Sequence, residues 1–167
     1  MKIFITGSKG SGKSTLVNKI TKSLALDVSG FVTLPRYEDG ERIGFYFHSL
    51  VEIADNDQQF SQQKPYINEV IPGILDDLGV RCLKASQGDR YIIMDEIGYL
   101  EHDEKLYLAA LEETIQNNAN ILGVLRQCAI EYIQKIKARN DIVLLDLDEL
   151  SFDEAYEMIF KQMKGKI

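Results

Sequence analysis

Gly7-Ser8-Lys9-Gly10-Ser11-Gly12-Lys13-Ser14-Thr15 follows directly on the short apolar run Ile3-Phe4-Ile5-Thr6 near the amino terminus. A glycine, four residues and then Gly-Lys-Ser is the spacing of a loop that wraps phosphate. Gly7, Gly10 and Gly12 permit backbone conformations that turn successive N–H groups inward, which makes a concave nest for an anion. A helix that starts at the loop adds its unpaired N–H groups and the positive end of its dipole. Residues 7–15 are therefore read together as the phosphate-binding loop, with Ser8, Lys9 and Ser11 filling the positions between the glycines. Lys13 would bring a compact charge to the β- and γ-phosphates, Ser14 a hydroxyl to Mg²⁺, and Thr15 support for the α-phosphate. In chains of average composition such a match arises by chance in roughly one percent of cases or fewer. The motif also needs a buried strand before it and an amphipathic helix after it. Residues 2–6 read as that strand, and Leu16, Ile20 and Leu24 give residues 13–24 the helical spacing.

Outward from the loop, residues 28–34 and 42–48 are strand-like, and Tyr37-Glu38-Asp39-Gly40 suits the turn of a hairpin between them. Ile43, Phe45 and Phe47 alternate with Arg42, Gly44, Tyr46 and His48, which predicts one buried face. Residues 69–85 carry Ile71, Ile74, Leu75 and Leu78 in a helical stripe, with Pro72 acceptable only in a first turn. The unbroken apolar run Tyr91-Ile92-Ile93-Met94 predicts a buried parallel strand. Helices are expected over residues 103–117 and 130–139, and strands over 120–125 and 142–145. Ser151-Phe152-Asp153-Glu154 is a capping box that opens a last helix. Strands alternating with helices predict an α/β fold, a doubly wound and mostly parallel sheet with an inserted β-hairpin. With no repeat, low-complexity run or linker, residues 1–167 read as a single domain.

Asp95-Glu96 follows the parallel strand at its carboxyl end, the edge where ligands sit in open α/β sheets. An aspartate there can hold the shell of a magnesium ion, and the next glutamate can orient an attacking water or accept its proton. On its own the pair could be a polar end to a strand; beside a phosphate loop it reads as metal ligand, Asp95, and catalytic acid–base group, Glu96. Arg126, just after residues 120–125, falls on the same edge. It is open to two readings, a charge that neutralises the transferring phosphoryl group or a surface ion pair. Arg36 and Arg42 lie in the hairpin and read better as structural than as contacts to base or ribose. His48 and His102 show no ligand spacing, and Tyr99 could stack on a base or simply occupy a loop.

The 167 residues carry 45% hydrophobic and 27% charged side chains, ordinary globular values. No apolar stretch reaches the length of a membrane span, and the amino-terminal run is too brief for a signal peptide. Cys82 and Cys128 fit no ligand or redox spacing and read as reduced thiols of a cytoplasmic protein. Net charge is −7. Lysines and arginines are scattered among acids, and only residues 161–166 are locally basic, so nucleic-acid binding is disfavoured. The sequence names no protein partner.

Taken together these residues resemble a known family, the small nucleoside-triphosphatases of the THEP type, first described from thermophiles and with a human cancer-related member. The resemblance covers residues 7–15, Ser29-Gly30-Phe31-Val32-Thr33, Gly40-Glu41-Arg42-Ile43-Gly44-Phe45 and, most specifically, Ile93-Met94-Asp95-Glu96-Ile97-Gly98-Tyr99-Leu100-Glu101. It implies a Rossmann-like P-loop fold and slow hydrolysis of ATP, GTP and other triphosphates to diphosphate and phosphate, with little base preference. Lys13, Ser14, Asp95 and Glu96 carry over directly, and Glu101 matches without an evident role. Two stretches depart from the family. Residues 51–63 are short and rich in Gln and Asp, and Val124-Leu125-Arg126-Gln127-Cys128 lacks a threonine-containing strand end. Hydrolysis competes with two other readings. One is a small-molecule or nucleotide kinase, disfavoured because residues 115–141 hold only Arg126 and Arg139 and so no arginine-rich lid. The other is a nucleotide-dependent switch reset by slow hydrolysis.

Overall fold

A computed structural model of the chain describes residues 1–86, 88 and 90–165. Strand β1 (Lys2–Thr6) runs parallel to β7 (Ile121–Leu125) on one side and β8 (Ile142–Asp146) on the other. On the far side of β7 follow β6 (Tyr91–Ile97) and then β2 (Val28–Glu38), both parallel. Beyond them β3 (Glu41–Ser49), β4 (Gln58–Gln63) and β5 (Asn68–Val70) continue the same sheet as an antiparallel wing. The order across the eight strands is β5-β4-β3-β2-β6-β7-β1-β8.

The strand period of 2 divides two cores. Ile3, Ile5, Ile93, Leu122 and Val124 point to one face, where they meet Leu16 and Ile20 of α1 (Lys13–Ser23) and Ala155 and Ile159 of α5 (Phe152–Lys164). Phe4, Ile92, Met94 and Ile121 point to the other. There they meet Leu83 of α2 (Val80–Ala85), Leu111 of α3 (Lys105–Asn117) and Ile133 of α4 (Glu131–Lys137). A strand buried on both faces explains the unbroken apolar run of β6. Helices on both sides of a mostly parallel sheet are the doubly wound arrangement that the element order predicts. At Gly30 the chain comes so close to β6 that an added Cβ would lie 2.0 Å from the Ile93 carbonyl oxygen, with φ at +94°.

The hairpin is longer than its apolar pattern and continues the main sheet. β2 pairs with β6 over Val28–Val32 and with β3 from Phe31 onward. Its turn, Asp39-Gly40, has both φ values positive, the backbone that matches strand twist in two-residue hairpins. Residues 69–85 do not form one helix. Asn68–Val70 pairs with β4, and Gly73 turns the chain at φ +84°. Helical structure then starts with a π-helical turn at Leu75–Gly79 that leads into α2. Apolar spacing at Ile71 was shared by a strand end and a helix start, and Pro72 marks their boundary.

The capping box is formed: the Ser151 hydroxyl accepts from the Glu154 N–H at 3.3 Å, and the Ser151 N–H donates to Glu154 Oε2 at 2.9 Å. Of the basic carboxyl end, Lys161 pairs with Glu157 and Lys164 lies over the Phe160 ring, the pattern of a solvated face. Lys166 lies outside the described residues. Among the described residues no helix is long and apolar enough to cross a membrane.

Candidate active site

The phosphate loop joins β1 to α1, so one of its ends is anchored in the middle of the parallel sheet. Gly12 precedes α1 in a left-handed conformation, and no side chain caps the helix. The first N–H groups of α1 are thus left for an anion, and the helix dipole points the same way. Lys13, almost wholly buried, folds back on the loop and donates to the carbonyls of Gly7 at 2.9 Å and Ser8 at 2.7 Å. Its Nζ also lies 3.5 Å from Ser11 Oγ. An ammonium solvated by two carbonyls is held in place until a stronger anion draws it away.

Asp148, in the turn between β8 and α5, holds the loop from outside. Its carboxylate accepts from the Ser8 N–H at 2.9 and 3.0 Å, from the Ser8 hydroxyl at 2.8 Å and from the Gln127 amide at 2.8 Å. The Ser8 backbone bond, more than any other contact, keeps this carboxyl below the usual aspartate range. Nothing in the spacing of the sequence signals Asp148, since its partner stands at the other end of the chain.

The phosphate loop and the strand-end acids converge. Ser14 Oγ donates to Asp95 Oδ1 at 2.9 Å, although the two residues are 81 positions apart. Asp95 is 7% exposed, and burial raises its carboxyl to about 6. The Glu96 charge adds to that rise, while the Ser14 hydrogen bond and the Lys13 charge oppose it. The Asp95–Glu96 peptide is cis, and the register of β6 against β7 shifts between Met94 and Ile97. The Glu96 N–H donates to Thr33 Oγ1 at 3.2 Å, while its carboxylate stays about one-third exposed. Arg126 Nε stands 3.9 Å from Glu96 Oε1, and its guanidinium carbon lies 4.6 Å over the Tyr99 ring. Tyr99 therefore supports Arg126 on its face, and its hydroxyl accepts from the Asn68 amide at 3.2 Å.

One cleft of about 620 Å³ gathers Gly7, Ser8, Lys9, Gly10, Gly12, Lys13, Ser14 and Thr15 with Glu96 and Arg126. Its volume falls in the usual range for small-molecule sites. Ser11 stays behind Lys13, and Asp95 is reached through Ser14. Four further residues line the cleft: Arg42, Phe45, Asn68 and Gln127. Arg42 is thus at the site, whereas Arg36 bonds Gln59 and His48 pairs with Asp57 on the wing. A hydroxyl beside a carboxylate is a hard-oxygen donor pair. Among the described residues no cluster of three or more His, Cys, Asp and Glu could cage a metal. Such a pair fits Mg²⁺, which binds through one or two protein oxygens and takes its remaining ligands from water and phosphate.

Glu101 lies next to this site without lining the cleft. It is 3% exposed, and its Oε2 accepts from the Gly98 N–H at 3.1 Å and the Tyr132 hydroxyl at 3.3 Å. Tyr132 also donates to the Gly98 carbonyl, so the turn after β6 is tied to α4. Burial raises the Glu101 carboxyl to about 7. A hollow of about 30 Å³, room for a water, is lined by both Glu101 and Glu96.

Comparisons with known proteins point one way. A family model described as NTPase matches residues 2–160. The nucleoside-triphosphatase THEP1 of Thermotoga sp. strain RQ2 is 32% identical, with 98% of this chain and 96% of that protein covered. THEP1 of Methanocaldococcus jannaschii is 28% identical, with coverage of 100% and 97%. Among solved structures, the human cancer-related nucleoside triphosphatase superposes with a TM-score of 0.75 at 23% identity, over 99% of this chain and 98% of that one. THEP1 from Aquifex aeolicus superposes with a TM-score of 0.70 at 25% identity, over 88% and 90%.

Proposed function

The chain belongs to the NTPase family and is a nucleoside-triphosphatase, and we propose that it hydrolyses ATP, GTP and other triphosphates to diphosphate and phosphate with Mg²⁺. The observation that carries this reading is the 2.9 Å bond from Ser14 to Asp95, which joins the phosphate loop to the strand whose next residue, Glu96, enters the same cleft. Ser14 and Asp95 would hold the ion. When bound, it neutralises charge on the β- and γ-phosphate oxygens.

The remaining work falls to side chains of the loop and the sheet edge. Residues 7–15 bind the phosphates through backbone N–H groups, and Lys13 exchanges two carbonyls for phosphate oxygens. Glu96, which lines the cleft and is anchored through its own N–H on Thr33, orients a water and takes its proton as the bond to the γ-phosphorus forms. The bond from that phosphorus to the β,γ-bridging oxygen breaks, and nucleoside diphosphate leaves with the electron pair. Arg126, fixed over Tyr99, lies beside Glu96 and neutralises charge that develops on the phosphoryl group. In this reading residues 1–167 serve as one domain. The free thiols of Cys82 and Cys128 favour a reducing compartment, the cytoplasm.

Glu96→Gln tests the assignment. The substitution keeps the shape and removes the proton acceptor, so nucleotide affinity should be unchanged while kcat falls about 10²- to 10⁴-fold. Wild-type kcat in that variant would remove Glu96 from the mechanism.

A further inference from the structure

Glu101 is buried beside the site, yet the hydrolytic steps leave its carboxylate without a task. Burying an ionisable group is costly, and such groups concentrate where chemistry is done. Glu101 stands at the end of the turn, residues 98–101, that leads from β6 toward α3. Its Oε2 accepts from the Gly98 N–H at 3.1 Å and from the Tyr132 hydroxyl at 3.3 Å, and Tyr132 also donates to the Gly98 carbonyl. Both backbone polar groups of Gly98 are thus taken, one by the carboxylate and one by the phenol. Arg126 rests on the other side of the same turn. Its N–H donates to the Ile97 carbonyl at 2.9 Å, and its guanidinium lies over Tyr99. A Cβ added to Gly98 would stand 3.4 Å from Arg126 Cδ and 3.7 Å from Glu101 Oε2, so Gly98 lies between the two side chains. Tyr99 and Arg126 also line the hollow shared by Glu96 and Glu101.

We propose that Glu101 is a positioning residue for hydrolysis, an inference that rests on the roles of Glu96 and Arg126 given above. Its carboxylate holds the turn after β6, and through that turn keeps the Tyr99 ring and the Arg126 guanidinium in place beside Glu96.

The brace responds to protonation. An ionised carboxylate accepts charge-assisted bonds, roughly twice as strong as neutral ones, and a proton on the group removes that advantage. Burial is the largest influence on Glu101 and raises its carboxyl to about 7. The bonds from Gly98 and Tyr132 oppose that rise, and the Glu96 charge adds to it. Tyr107 of α3 and Tyr132 of α4 face the same carboxylate. Burial first, and then the Glu101 charge, pushes both phenols up, so they stay neutral near pH 7. Arg126, at the end of β7, keeps its charge throughout. The Glu104 carboxylate, at the start of α3, is engaged by the N–H groups of Gly73 and Asp76. The wing residues of the hollow, Thr33, Phe45 and Phe60, carry no charge. The turn is therefore held firmly above this carboxyl's midpoint, and the hold loosens as pH falls through it.

The test compares kcat and KM for ATP, with saturating Mg²⁺ and the full chain, across roughly pH 6 to 8. The proteins are wild type, Glu101→Gln and Tyr132→Phe. If losing one charge-assisted bond costs about tenfold, wild type should exceed Glu101→Gln in kcat about tenfold at pH 8 and only about twofold at pH 6. KM should differ little, since residues 7–15 are untouched. Ionisation of Asp95 and of ATP is common to both proteins and drops out of the ratio. Tyr132→Phe removes a bond that favours the charged carboxyl, so its rise of kcat with pH should move to higher pH, a shift that lost packing would not give. Combined with Arg126→Gln, Glu101→Gln should add little further loss, because both act on one guanidinium. A kcat ratio that is the same at both pH values would leave Glu101 a support of the fold and overturn the proposal. Wild-type kcat in Glu101→Gln, or fully multiplicative losses in the double variant, would overturn it too. Should Glu101→Gln melt below the assay temperature, Tyr132→Phe decides, and an unmoved pH profile there overturns the proposal. Glu96→Gln and Arg126→Gln alone, measured alongside, report separately on the roles beneath it.

Discussion

Replacing Asp95 by asparagine should make the nucleotide-free protein more stable at alkaline pH than at acid pH, relative to wild type, while abolishing turnover. The folded chain holds the Asp95 carboxyl at about 6, against about 3.9 for an unperturbed aspartate. Because the folded state binds this proton more tightly than the unfolded one, ionisation costs stability. That cost is absent well below pH 4, grows between about 4 and 6, and is complete above that window. Its full size is about 3 kcal/mol. Roughly half is already present at pH 5, so wild type should lose on the order of 1–2 kcal/mol against the variant between pH 5 and pH 8. For a chain of this size that is a change of about 3–6 °C in the gap between the two melting temperatures. Differences in packing act equally at both pH values and cancel, and the bond from Ser14 is already included in the position of the Asp95 carboxyl. Glu101, raised to about 7, titrates in both proteins and cancels as well. Thermal melts at the two pH values, with a chelator and no nucleotide, measure the gap directly. A gap that is constant with pH, or wider at pH 5, would refute the reasoning.

Other perturbations separate the loop, the sheet edge and the core. Asp148→Ala releases Ser8, and the nucleotide KM should rise severalfold with little change in melting temperature, since the contact is exposed and orients the loop rather than filling the core. Arg126→Gln should lower kcat about 10²-fold and leave KM nearly unchanged if its charge acts on the transferring group; an unchanged kcat assigns it to the surface pair with Glu96. Gly30→Ala places a Cβ against the Ile93 carbonyl at a positive φ, and a loss of about 3 kcal/mol or more should show as a lower melting temperature.

What the sequence revealed and what it hid follow from how each feature is encoded. The loop of residues 7–15 is legible because an anion-wrapping reading is local: the glycines, Lys13 and Ser14 stand at the fixed spacing that one backbone needs to wrap one anion. The parallel strands are legible because burial on both faces forces apolar runs such as Ile92-Ile93-Met94. Strand β4 is polar at five of its six residues, Gln58-Gln59-Phe60-Ser61-Gln62-Gln63, and buries only Phe60 and Ser61. It is held by backbone pairing to β3 and β5, which no side-chain pattern records. Residues 51–63, which depart from the family in composition, run into this strand.

The same distinction applies within the site. Asp95 and Glu96 could be placed because the end of a buried strand is a topological address shared by ligands in this class of sheet. Asp148, Arg42 and Asn68 have no such address. Asp148 reaches Ser8 across 140 positions, and Asn68 reaches Tyr99 across 31. Arg42 belongs to an alternating strand whose polar face reads as solvent-exposed, yet in the folded chain it lines the cleft with residues 7–15. Residues 7–15 are therefore legible through local spacing, whereas Asp148, Arg42 and Asn68 are placed by contacts made only in the folded chain.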